Sequence, residues 1–134
     1  MPSALSPTWI TLWLPVIGYM AMLFGFSSLS TLPSPPGALS YYHAHMAAYS
    51  GLGVLTARAL SEGRLRNVTW RVVCGAIAIS SIYGMTDEYH QLFVPGRAFD
   101  VLDIAADIVG SVVGASAVGA WSIISGRSET RDVL

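Results

Sequence analysis

No Asp, Glu, Lys or Arg occurs before Arg58, and the chain contains no Lys at all. This charge gap constrains the fold more than any other feature. A soluble domain averages about 25% charged residues, whereas this chain of 134 residues has 11%, with 53% hydrophobic residues. The composition belongs to the membrane class. With no basic run, nucleic-acid binding is excluded as a function class. Cys74 is the single cysteine. It has no intrachain disulfide partner and reads as a small packing residue.

Hydropathy and breakers divide the chain into four helices. The first, about 9–29, is uncharged and long enough to cross a hydrocarbon core about 30 Å thick at 1.5 Å per residue. Its flank Met1-Pro2-Ser3-Ala4-Leu5-Ser6-Pro7 carries no Lys or Arg, so it reads as a retained helix and not a cleaved signal. Pro15 and Gly18 are tolerated bends. Leu32-Pro33-Ser34-Pro35-Pro36-Gly37 reads as a short stiff loop. The second helix spans about 41–60 and the third about 68–92, stopped by Pro95-Gly96. The fourth spans about 101–125, before a polar, frayed tail from Gly126. The expected fold class is therefore all-α: a polytopic membrane protein whose four transmembrane helices form a compact antiparallel bundle, one domain over 1–134.

Arginine predicts orientation. Arg58, Arg64, Arg66 and Arg71 flank the middle loop, and Arg127 and Arg131 follow the fourth helix. The positive-inside rule puts these, and both termini, in the cytoplasm of a bacterial inner membrane. The proline-rich loop and the Pro95-Gly96 loop then face outward. Trp9, Trp13, Tyr41, Tyr42, Trp70 and Trp121 fall near predicted ends, as interface anchors do.

Against this apolar background the ionisable residues of the second half stand out. Charge at membrane depth costs roughly 2.5–3.5 kcal/mol per group at a helix centre, so a cluster of it marks a candidate site. Asp87, His90 and Gln91 share a helix face by i, i+3 and i+4 spacing, and Glu88 points to another side. Asp103 and Asp107 are one turn apart and repel each other unless something offsets them. Arg97, in the connecting loop, is the expected partner, its planar fork suited to carboxylates; a retained proton on one carboxylate is the alternative. A rise of 1.5 Å per residue brings Asp87, Asp107 and His45 to similar heights, about 24–30 Å from the arginines. His45 and Tyr49, at i, i+4, face one way. Arg97, Asp103 and Asp107 are read as a structural clasp on the hairpin, a functional pocket, or both. Gly110 and Gly114 form a GxxxG pair, read as close helix packing. No dense metal-ligand motif, serine-nucleophile elbow or cofactor fingerprint is visible, so no cofactor or metal is expected and catalytic residues stay unassigned.

The run Asp87-Glu88-Tyr89-His90-Gln91-Leu92-Phe93-Val94-Pro95-Gly96-Arg97, with Asp103, Asp107, Gly110 and Gly114 after it and His45-x-x-x-Tyr49-x-x-Leu52 before it, resembles the VanZ-like membrane proteins. The likeness extends over about 9–125. It departs from the family at Tyr41-Tyr42-His43-Ala44, where members often carry an Asp-Lys pair; His43 is a candidate substitute in charge balance. The family is named for a protein associated with resistance to teicoplanin. The resemblance implies envelope biology at the outer leaflet: an outward pocket for a lipid-linked wall precursor, a lipid head group or a glycopeptide, with membrane lipids as partners and a link to antibiotic tolerance. Two rivals remain open. One is a membrane-embedded enzyme acting on a lipid phosphate or ester, either with His90 and an Asp or Glu as acid and base or with metal assistance. The other is a small ion or proton transporter.

Overall fold

The computed structural model describes residues 8–37, 39–66 and 68–131, the side chains of 127–131 excepted. It contains four helices and, among the described residues, no strand: α1 (Trp9–Ser27), α2 (Tyr41–Leu60), α3 (Trp70–Gln91) and α4 (Val101–Arg131). Each start has a local cause. Thr8 accepts a hydrogen bond from Thr11 N at the head of α1. At α2, His43 Nδ1 accepts from Ser40 N, reciprocating the helix entry in the manner of a capping box. His43 thus serves the helix end. Asp100 caps α4, its Oδ1 accepting from Leu102 N.

Three boundaries differ slightly from expectation. α1 ends at Ser27, where Ser27 and Ser28 turn their hydroxyls back onto Phe24 O. α3 begins at Trp70, with Thr69 as its cap residue. α4 does not stop at Ser125 but continues to Arg131. One Gly costs about 1 kcal/mol in a helix interior, and no proline follows to enforce a stop.

Two helices are long and apolar enough to cross a membrane by length and composition, Trp9–Ser27 and Val101–Gly126. α2 and α3 have comparable lengths but carry more polar residues, chiefly His43, His45, Thr56, Asp87, Glu88, His90 and Gln91.

Consecutive helices run antiparallel, so α1 lies parallel to α3 and α2 parallel to α4. Arg58, near the end of α2, donates to Thr11 O at the start of α1. Ser27, at the end of α1, meets Asp87 near the end of α3. α2 and α4 pack most intimately, because their facing residues are small. A methyl carbon on Gly110 would fall 2.3 Å from Met46 O, and one on Gly114 2.0 Å from Ser50 O. The GxxxG pair therefore lets two backbones touch, and Ser50 Oγ donates to Gly110 O across the seam. Two apolar clusters fill the interior. One joins Leu12, Val16 and Leu23 of α1 to Tyr49, Leu52 and Ala59 of α2. The other packs Ala57, Ala76, Ala115 and Val118 from α2, α3 and α4. The outer surface is the more apolar side: Ile10, Leu14, Ile17, Phe26, Ile82, Val113 and Ile124 are exposed, while Asp87, Glu88, Gln91 and Asp107 are buried.

Candidate functional site

The site grows from the turn after α3. Leu92, Phe93 and Val94 tighten the helix end with bonds to Tyr89, His90 and Gln91 carbonyls. Val94 then opens a four-residue turn closed by Arg97 N to Val94 O at 3.1 Å. Pro95 occupies its second position and Gly96, at φ +79°, its third. This is the type II turn that Pro-Gly favours, since proline presets its own φ and only glycine takes the positive one freely. The reversal returns Arg97 to α3, where its Nε and Nη2 both donate to Gln91 Oε1, at 3.1 and 2.6 Å. Arg97 therefore binds an amide and not the carboxylates of α4, which corrects the expected clasp. The clasp exists with another member.

That member is His45. Its Nδ1 lies 2.8 Å from Asp107 Oδ1, and its Nε2 3.6 Å from Asp103 Oδ2. One imidazole thus spans both carboxylates of the α4 turn, and only the doubly protonated ring presents N–H to each. Two acids one turn apart are bridged by an imidazole from the neighbouring helix, which is a cation when both ring nitrogens carry protons. Gly84 of α3 makes room: a methyl carbon there would lie 2.8 Å from Asp107 Oδ2 and 3.1 Å from the Tyr49 ring.

Glu88 and Asp87 diverge as their 100° offset requires. Glu88 Oε1 accepts from Asp100 N at 2.7 Å, fastening the start of α4 to α3. Asp87 turns to α1 and accepts from Ser27 Oγ at 2.6 Å. His90 also faces α1, its ring stacked on Phe24 with centroids 4.3 Å apart and its Nε2 3.2 Å from Ser28 Oγ. Its hydrogen-bond partner is a serine, and Asp87, one turn earlier on the same helix, lies within its electrostatic reach.

The sequence-derived residues therefore fall into three neighbouring groups. His45, Asp103 and Asp107 make the central nest. Gln91 and Arg97 make the rim. Asp87 and His90 face α1, Glu88 ties the hairpin, and Tyr49 is buried beneath, with Asp107, Asp87 and Glu88 all within its electrostatic reach. Sequence reasoning passed over Ser27, Ser28 and Tyr42, whose hydroxyl donates to Asp100 Oδ2 at 3.1 Å. Paired serines at the end of an uncharged apolar helix were the available signal for the first two.

Two cavities meet at this end. One, of about 600 Å³, lies under the proline-rich segment; its exposed lining is almost wholly apolar, from Leu23, Phe26, Leu32, Pro33, Pro36 and Leu39 among others, and it also borders His45, Tyr49, Asp87, Gln91 and Arg97. The other, of about 790 Å³, shares His45, Gln91 and Arg97 and adds Tyr42, Asp100 and Asp103. Several buried polar atoms here have no partner: Tyr49 OH, Glu88 Oε2, Gln91 Nε2 and Asp103 Oδ1. A buried polar atom without a partner costs about 1–3 kcal/mol, so each of these is a place where a water, an ion or a ligand group would be favourable. Among the described residues, no group of three or more His, Cys, Asp or Glu is arranged to hold a metal ion.

Fold and site together define an all-helical protein that gathers its ionisable groups at one end of an apolar helix array. The family described as VanZ/LLP1 matches residues 18–123, most of the chain, and the chain belongs to this VanZ-like family. No curated protein and no solved structure matches it.

Proposed function

We propose that the chain is a multi-pass inner-membrane protein whose outward pocket binds an amphiphilic component of the cell envelope. The observation that carries this reading is the cavity under the proline-rich segment, whose lining is almost wholly apolar and which borders the ionisable residues His45, Asp87 and Arg97. That is the shape of a site for a molecule with an oily body and a hydrogen-bonding head. A lipid-linked wall precursor, a lipid head group or the lipid-like part of a glycopeptide meets the description, and occupancy by any of these would link the protein to antibiotic tolerance.

The membrane reading draws on the inverted polarity of the bundle. A soluble protein rarely exposes apolar patches beyond a few hundred Å², yet here the lateral faces of all four helices expose large apolar residues. Four crossings are supported by the lengths of α2 and α3, close to that of α1, and by the inward placing of Asp87, Glu88 and Gln91. Trp9, Trp70 and Trp121 lie toward one end of the antiparallel array and Tyr41 and Tyr42 at the other, as two interfacial belts would. The arginine bias puts the tryptophan end, and both termini, in the cytoplasm.

A second reading is favoured by one contact. His45 is hydrogen-bonded to Asp107 and lines both cavities, as a general base oriented by a carboxylate would. Transport is less well supported, since below the nest Ala57, Ala76, Ala115 and Val118 close the bundle with an apolar plug.

The test uses purified full-length protein and envelope lipid extract. Lipids that copurify would be identified by mass spectrometry, for wild type and for Leu32→Trp, which fills the cavity. The reading expects a specific lipid class lost in the variant. An unchanged lipid profile would count against it, and product formation lost in His45→Ala would favour the enzyme.

A further inference from the structure

We propose that Arg97 and Gln91 form a receptor for the oxyanion head of a phosphate-bearing amphiphile, whose chain lies under the proline-rich segment. This deepens the reading of the site as an envelope-component pocket and rests on it.

The first observation is an unused cation. Among the described residues, the ion pairs at this end of the bundle belong to His45, and Arg97 has no carboxylate within 4 Å. The acids around it are already engaged. Asp87 accepts from Ser27, Glu88 from Asp100 N, Asp100 from Tyr42 and Leu102 N, and Asp103 and Asp107 share His45. These carboxylates keep their charge and attract Arg97 through space, yet none takes its remaining N–H groups in a contact pair, which leaves those groups open to an anion in direct contact.

The second observation is a buried donor with nothing to bond. Arg97 donates twice to Gln91 Oε1, and a guanidinium has no acceptor, so the amide cannot be flipped. Gln91 Nε2 must therefore face away from Arg97. The side chain is 1% exposed, and this nitrogen has no partner. Gln91 thus does two things: it orients the guanidinium with its oxygen and leaves its own N–H₂ available.

Both residues line both cavities, with the Arg97 guanidinium half-buried there and the Gln91 amide nitrogen itself enclosed. Divergent donors on a planar fork and an amide suit a tetrahedral oxyanion with several acceptor oxygens. The apolar wall formed by Leu23, Phe26, Leu32, Pro33, Pro36 and Leu39 supplies the place for the chain attached to that head.

The experiment uses the full chain in a neutral maltoside detergent, titrated calorimetrically with decyl phosphate, with decanol and with inorganic phosphate. Decyl phosphate is expected to bind saturably, and decanol and inorganic phosphate at least tenfold more weakly. Arg97→Gln and Gln91→Leu should each weaken decyl phosphate about tenfold to a hundredfold, as for a lost charged hydrogen bond, while Arg97→Lys should keep part of the affinity. Helicity and gel filtration accompany each variant, and if Arg97→Gln does not fold, Arg97→Lys and Gln91→Leu decide. Unchanged decyl phosphate binding in the folded variants would overturn the receptor. Equal binding of decanol would show that the head is not read and would overturn it too. Inorganic phosphate binding as tightly as decyl phosphate would assign the site to a free anion and overturn the amphiphile. If neutral amphiphiles bind and are lost in Leu32→Trp while Arg97→Gln has no effect, this inference fails and the pocket reading survives. If no amphiphile of either kind binds, both fail.

Discussion

His45 Nδ1 lies 2.8 Å from Asp107 Oδ1, which joins α2 to α4 across 62 positions of the chain. The Asp107 side chain is 2% exposed and that of His45 16%, so water screens the pair poorly. Removing one partner leaves the other buried and unmatched. A double-mutant cycle of His45→Ala and Asp107→Asn should give a coupling energy of about 0.5–3 kcal/mol, read from detergent unfolding curves. Additive effects would show that the contact contributes little.

Ser27 does for Asp87 what His45 does for Asp107. Its hydroxyl donates to Asp87 Oδ1 at 2.6 Å, and both residues are buried. Ser27→Ala should cost about 1–3 kcal/mol by leaving an acceptor unpaired. Asp87→Asn, which keeps the shape and removes the charge, should be milder in the Ser27→Ala background than in wild type. The same unfolding assay compares the four proteins.

The glycine seam offers a sharper contrast. Gly114→Ala puts a methyl carbon 2.0 Å from Ser50 O, whereas a methyl at Gly18 meets nothing within 4 Å. Gly114→Ala should lower stability by about 1–3 kcal/mol, the usual cost of overpacking. Gly18→Ala should be neutral or slightly stabilising through helix propensity. Both follow from thermal melts of the purified proteins, and a neutral Gly114→Ala would contradict the α2–α4 contact.

Gly96 holds a backbone conformation, φ +79°, that a β-branched residue strongly resists. Gly96→Val should open the turn, carry Arg97 away from Gln91 and cost on the order of 1–3 kcal/mol. Decyl phosphate binding should fall while helicity stays close to wild type. Retained binding with a disrupted turn would separate the rim from the ligand.

Orientation is testable in intact cells. In a Cys74→Ser background, Ser34→Cys in the proline-rich loop should react with a membrane-impermeant maleimide. Gly63→Cys, in the arginine-flanked middle loop, should react only after lysis. The reverse pattern would invert the proposed topology and put the polar end in the cytoplasm.

Much of the architecture was legible along the chain. Charge-free apolar runs, proline loops and capping residues are local signals, and α2 lies where they put it, Tyr41–Leu60. The similar heights of His45 and Asp107 followed from a constant rise per residue, and the two side chains do meet. The glycine pair on α4 signalled close packing because a missing side chain has the same consequence on any helix.

The choice of partners was decided only in three dimensions. Arg97 and His45 both carry the chemistry to offset Asp103 and Asp107, and sequence proximity favoured Arg97. The Pro95-Gly96 turn sends Arg97 back to Gln91, while the α2–α4 glycine contact draws His45 onto the acids. His90 likewise had suitable neighbours in sequence but faces Phe24 and Ser28, because α3 packs chiefly on α4 and α2 and turns this side toward α1. Periodicity determines which residues share a face; which helix that face meets depends on contacts between segments far apart in the chain, and no local pattern encodes them.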